Sequence, residues 1–194
     1  NLDKLRNTLR TTLIDIWEYV IPIWKISGLF KRIKSKQDLE NFIQERSAHV
    51  AQTTLYGYLK TRIGVKYIAM MEDEVFLKSI NIAKWNIYVV ALADCAFYVF
   101  SYLISEKNLK ENDCKKIFLN ILENERKNGL NDEIFERGKK NFLERINNVN
   151  FANYHLNDPF KESGQALYYW SPIADELKSL DKKIVLNSIH LKWG

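Results

Sequence analysis

RSAHVAQTTLYGYLKTRIGVKYIAMMEDEVFLKSINIAKWNIYVVALADCAFYVFSYL (Arg46–Leu103) decides the fold. Apolar residues recur at helical spacing on both sides of a single turn at Gly64. Gly64 suits the carboxy-terminal cap of the first helix. Glu72-Asp73-Glu74 places acids where the dipole of the second helix favours them. Working outward, Asp38 is read as the amino-terminal cap of the first helix, which carries Leu39, Phe42, Ile43, Val50, Leu55, Leu59 and Ile63. On the other side, a helix is expected from Asn108 to Lys127, with Gly129 ending it. Asn131 then caps the next, whose apolar stripe includes Ile134, Phe135, Phe142 and Ile146. After an asparagine-rich linker (147–158), Asp158-Pro159 reads as a helix start, and a final helix is expected from Asp181 to Trp193.

Only three prolines and seven glycines interrupt 194 residues, which favours long helices over strands and turns. With 46% hydrophobic and 27% charged residues, the chain can bury a core without staples and is not of disordered composition. The expected fold is all-α: one bundle of about six to eight helices over 37–194, preceded by an amphipathic arm over 1–36.

That arm holds the charge surplus. The formal net charge is +5; residues 1–36 carry eight basic and three acidic side chains, leaving 21 of each in the rest. A balanced body argues against a nucleic-acid partner, whose phosphates are usually met by a basic folded surface. Leu2 to Val20 is amphipathic, Pro22 interrupts it, and WKISGLFKRIK (24–34) follows, short, aromatic and basic. Such an arm packs its apolar side on the core or a partner subunit, or lies on a membrane surface with Trp17, Trp24 and Phe30 inserted and Lys25, Lys31, Arg32 and Lys34 facing anionic groups. Asp15 and Glu18 weigh toward protein packing. No cleavable signal peptide is read.

Trp85–Ile104 has a single formal charge, Asp94, and is long enough to span a bilayer. A central aspartate costs roughly 2.5–3.5 kcal/mol on insertion, so the expectation is a buried central helix of a bundle. Asp94 is then a buried acid that needs a partner, first of all a hydrogen-bonding one on a neighbouring helix.

Catalytic signatures are missing: no GxSxG elbow, no phosphate-binding glycine loop, no HExxH. Glu45 and His49 share a helix face, but a metal site would need matching ligands from other helices, so neither metal nor cofactor is expected. Cys95 and Cys114 show no metal-ligand spacing and indicate a reducing compartment. If there is chemistry, its candidate groups are His49 as base, Arg46 as anion holder, Asp94 and Tyr56.

Two blocks carry a resemblance. SAHVAQTTLYGYLKTRIGVKYIAMMEDEVFLKSINIAKW (Ser47–Trp85) and YYWSPIADELKSLDKKIVLNSIHLKW (Tyr168–Trp193) are similar to a small alphaproteobacterial helical family whose members carry the automatic label "esterase". The resemblance runs in register from Gln37 to Trp193 and leaves the arm as an addition. It brings no catalytic residue with it, and the label has no matching motif in this chain. The bacterial group gave rise to mitochondria, so the resemblance implies a cytoplasmic or mitochondrial-matrix setting.

The expected function is non-enzymatic: a helical interaction protein, peripheral to a membrane-associated and respiratory or energy-transducing complex, as a subunit or assembly factor at the inner membrane. The alternative is a small helical hydrolase or a small-ligand binder with a pocket between helices.

Overall fold

The computed structural model of the protein describes residues 33–193, apart from the side chains at 190 and 191. Among the described residues the chain is all-α, with no strand. The elements are α1 (Lys36–Ile63), a 3-10 turn (Gly64–Lys66), α2 (Tyr67–Met70), α3 (Glu74–Ser105), α4 (Glu111–Lys127), α5 (Asp132–Ile146), a second 3-10 turn (Tyr154–Leu156), α6 (Lys161–Trp170), α7 (Asp175–Ser188) and α8 (His190–Trp193). Trp17, Trp24, Lys25, Phe30, Lys31 and Arg32 lie outside the described residues. Lys34 is described and exposed, its backbone N–H donating to Asp38.

Local chemistry accounts for most helix ends. Ser35 accepts from the Asp38 N–H (3.1 Å) and the Asp38 carboxylate accepts from the Ser35 N–H (3.0 Å), a reciprocal capping box. The cap is therefore Ser35 rather than Asp38, because a cap needs the extended backbone that Ser35 adopts (φ −137°, ψ 164°). Asp73 caps α3 through the Phe76 N–H (2.8 Å), and Asn131 caps α5 through the Glu133 N–H (2.8 Å). Gly64, at φ 61°, takes the left-handed region that ends α1.

Three other ends differ from expectation. Lys107 turns into the left-handed region (φ 58°), Asn108 donates back to the Leu103 carbonyl (2.8 Å), and α4 starts only at Glu111. Asp158 is left-handed (φ 40°), so Asp158-Pro159 forms a turn and α6 begins at Lys161. Asp181 starts no helix. Its carboxylate meets Arg62 (3.2 Å) and Tyr58 Oη (3.1 Å) of α1, which leaves α7 continuous from Asp175.

α3 is the axis of the bundle, packed by α1, α5 and α6 and by the second 3-10 turn. Its residues 86–89 and 91–97 are all buried, so it is enclosed on every side over that stretch. By length and composition α3 is apolar enough to cross a membrane, but the bundle itself buries 67% of its most apolar window. A three-ring stack joins three helices: Phe142 of α5 lies 4.9 Å from Phe97 of α3 and 3.7 Å from Phe118 of α4, centroid to centroid. Close approach is set by two glycines. A Cβ on Gly138 would meet the Val89 side chain of α3, and one on Gly164 would sit 2.5 Å from the Leu186 carbonyl of α7.

Candidate functional site

Asp94 is fully buried, and its carboxylate ties three elements together. Arg145 of α5 donates to Oδ1 at 2.6 Å; Ser163, in the first turn of α6, donates to Oδ2 through its backbone N–H (2.8 Å) and its hydroxyl (2.6 Å). The Arg145 guanidinium also reaches Tyr154 Oη (3.1 Å) and lies over the Phe97 ring at 4.7 Å. Tyr154 passes its proton-donor capacity to the Pro159 carbonyl (2.7 Å), fastening the linker before α6. Burial raises the Asp94 pKa, against the opposing Arg145 charge and the Ser163 hydrogen bonds. For Arg145, burial pulls downward, but the Asp94 charge and hydrogen bond together with Tyr154 and Glu162 outweigh it, and the net shift is upward. This is a satisfied structural network of the kind that holds helices in register.

The other candidates lie on α1. Arg46 Nη2 donates to the carbonyls of Lys192 (3.0 Å) and Trp193 (3.2 Å), so it caps the end of α8 rather than holding a free anion. His49 is half-buried, and its pKa is lowered by burial and then by the Arg46 and Lys192 charges. Tyr56 is half-buried against the core cluster. The structure thus brings Arg46 and His49 together, while the polar contacts of Asp94 go to Arg145 and Ser163.

A pH dependence follows from His49. Its folded pKa lies below the unfolded value of 6.5, so the unfolded chain takes up the proton first. The stability contributed by the neutral imidazole is fully present above pH 6.5 and is lost as pH falls through the window below it. His49→Gln is expected to flatten that part of the stability–pH curve. Urea melts on both sides of pH 6.5 check this, and an unchanged acid slope in the variant would refute it.

One serine–histidine contact occurs among the described residues, and sequence reasoning missed it. The Ser101 hydroxyl is buried, donates to the Phe151 carbonyl (2.6 Å), and accepts from the His155 backbone N–H (3.2 Å) and from Nδ1 (2.7 Å). With its only proton on Phe151 O, Ser101 requires His155 to present Nδ1–H as a donor. An imidazole in that tautomer cannot take the serine proton through Nδ1, and no carboxylate of the described residues orients it. The contact anchors the linker between α5 and α6 to α3.

A second feature also went unread in the sequence. Between α1, α3 and α4 lies a cleft of about 290 Å³. Glu125, only 7% exposed, lines it: Oε1 accepts from Gln44 Nε2 (2.6 Å) and Tyr88 Oη (2.8 Å), while among the described residues Oε2 meets only Asn128 Nδ2, at 3.5 Å. Burial, then the Glu125 charge, pushes the Tyr88 pKa well up, so Tyr88 remains a donor. Lys84 and Trp85 line the same cleft, with Lys84 Nζ 5.4 Å from the Trp85 ring centroid. Lys84 is half-buried, burial lowers its pKa, and among the described residues no carboxylate pairs with it. A polar run on one face of α1 (Asn41, Gln44, Glu45, Gln52) was the available signal.

On the surface, α7 exposes Leu177 (45%), Leu180 (77%) and Ile184 (71%). Their i, i+3, i+7 spacing puts them on one face of a helix whose first turn carries Asp175 and Glu176. No protein-family model matches the chain, and neither does any curated protein or solved structure.

Proposed function

We propose that this chain is a non-enzymatic helical interaction protein, a peripheral subunit or assembly factor of a membrane-associated complex. The observation that carries the reading is the apolar stripe Leu177–Leu180–Ile184 on α7. Single exposed apolar residues are ordinary, but three in register on one helix are the anchor pattern of a helix that docks against a partner helix or groove. Fully burying an exposed leucine or isoleucine contributes on the order of 1.5–3 kcal/mol, and Leu177, already more than half covered, contributes less than Leu180 or Ile184. Within the body, two of the four polar side chains that the sequence singles out for chemistry are taken up in structural contacts: Asp94 with Arg145 and Ser163, Arg46 with the end of α8. The partner is a protein with an amphipathic helical face. The basic aromatic arm supplies a second contact, with the membrane surface or with the same partner, on the cytoplasmic or mitochondrial-matrix side.

The experiment is gentle detergent extraction of the native protein followed by native electrophoresis and mass spectrometry, beside a chain carrying Leu180→Glu and Ile184→Glu. The wild type is expected to migrate with a stoichiometric membrane complex, and the variant to migrate alone with unchanged helicity. A wild-type chain that migrates as a lone monomer overturns the reading. The small-ligand reading has its own support, in the cleft between α1, α3 and α4.

A further inference from the structure

The geometry points to the cleft between α1, α3 and α4 as a binding site for a small zwitterion of the amino-acid class, its ammonium on Glu125 and its carboxylate on Lys84. Glu125 and Lys84, of opposite charge, line one small cavity together with the exposed Glu45; they form no ion pair with each other, and none of the described residues supplies either with an ion-pair partner. Lone buried charges are costly, and a carboxylate held by neutral donors alone is only partly compensated. Glu125 Oε1 already accepts two hydrogen bonds, whereas Oε2 keeps capacity for a strong donor, since among the described residues it meets only Asn128, at 3.5 Å. Lys84 has three N–H donors and an aromatic neighbour in Trp85.

The lining discriminates among ligand classes. A simple anion would meet Lys84 but also the Glu125 and Glu45 carboxylates; a simple cation would meet those two carboxylates but be opposed by Lys84. A ligand carrying both charges answers each uncompensated group. Ala48 and Trp85 give the lining an apolar part, which suits a short apolar side chain. The volume of about 290 Å³ is at the small end for ligand pockets, which suits a single amino acid.

This site is independent of the α7 docking reading, and either stands if the other fails. The test is isothermal titration calorimetry of the full chain with each proteinogenic L-amino acid in turn, and, for any that binds, with the amine lacking its carboxylate and the acid lacking its ammonium. We expect at least one amino acid to bind with a Kd of about 1 mM or tighter, and both truncated analogues to bind at least about tenfold more weakly. Lys84→Met and Glu125→Gln are each expected to weaken binding by about tenfold or more. Because Glu125 is buried and hydrogen-bonded, its variant risks the fold. Lys84 is half-buried and unpaired among the described residues, so its variant keeps the test decisive. No binding by any amino acid overturns the proposal. So does equal binding by the bare amine, or binding that Lys84→Met leaves intact.

Discussion

Asp94→Ala is expected to destabilise the protein by about 3–5 kcal/mol, the usual cost of removing one partner of a buried ion pair. The loss has two parts. Arg145 keeps its charge with no counter-ion, although its side chain is 26% exposed and water relieves part of that penalty. Ser163 keeps a buried hydroxyl and a backbone N–H at the start of α6 with no acceptor, each costing on the order of 1–3 kcal/mol if water does not enter. Asp94→Asn retains an acceptor for Ser163 and should cost less than alanine. The combined variant Asp94→Leu, Arg145→Met, Ser163→Ala removes every orphaned side-chain group together and should recover most of the stability. That recovery follows from the upward pull of burial on the Asp94 pKa: the ion is expensive where it sits, so it contributes register more than net energy. Urea denaturation of the four proteins checks the order. If alanine costs under about 1 kcal/mol, the network does not hold the helices as described.

Phe142→Ala is the second large effect, expected at about 3–5 kcal/mol. Phe142 is fully buried and stacks on Phe97 at 4.9 Å and Phe118 at 3.7 Å, so one side chain bridges α3, α4 and α5. Its loss removes ring–ring contacts on two faces and leaves a cavity that three separately anchored helices cannot easily close. Phe142→Leu leaves a smaller cavity and should fall between alanine and wild type. Thermal and urea melts give the comparison. A cost below about 1.5 kcal/mol for alanine would mean that the helices collapse onto the gap.

Helix class and most helix ends were legible because their causes are local. Gly64, Asp73 and Asn131 act within a turn of their own position, and apolar spacing within one helix reports its buried face. Expectation failed where a residue with a good local signal was claimed by something distant or was overruled by a left-handed turn. Asp181 resembles a cap, but Arg62 and Tyr58, across the bundle on α1, take its carboxylate. Asp158 likewise adopts a left-handed turn rather than the extended backbone a cap requires.

The candidate sites divide the same way. That Asp94 needs a partner follows from one charge in twenty residues. That the partner is Arg145, with Ser163 beside it, does not, since they lie 51 and 69 positions further along. Ser101 and His155 are separated by 54 positions, and Gln44 and Glu125 by 81. The sequence by itself determined an all-α chain, the division of charge between arm and body, and the need of Asp94 for company, because periodicity, composition and desolvation act on residues near one another. Only the tertiary structure decided which groups meet: the Asp94 network, the spent Ser101 hydroxyl, the Lys84–Glu125 cleft and the bare face of α7. Those pairings depend on how helices cross, which is set by packing over the whole core.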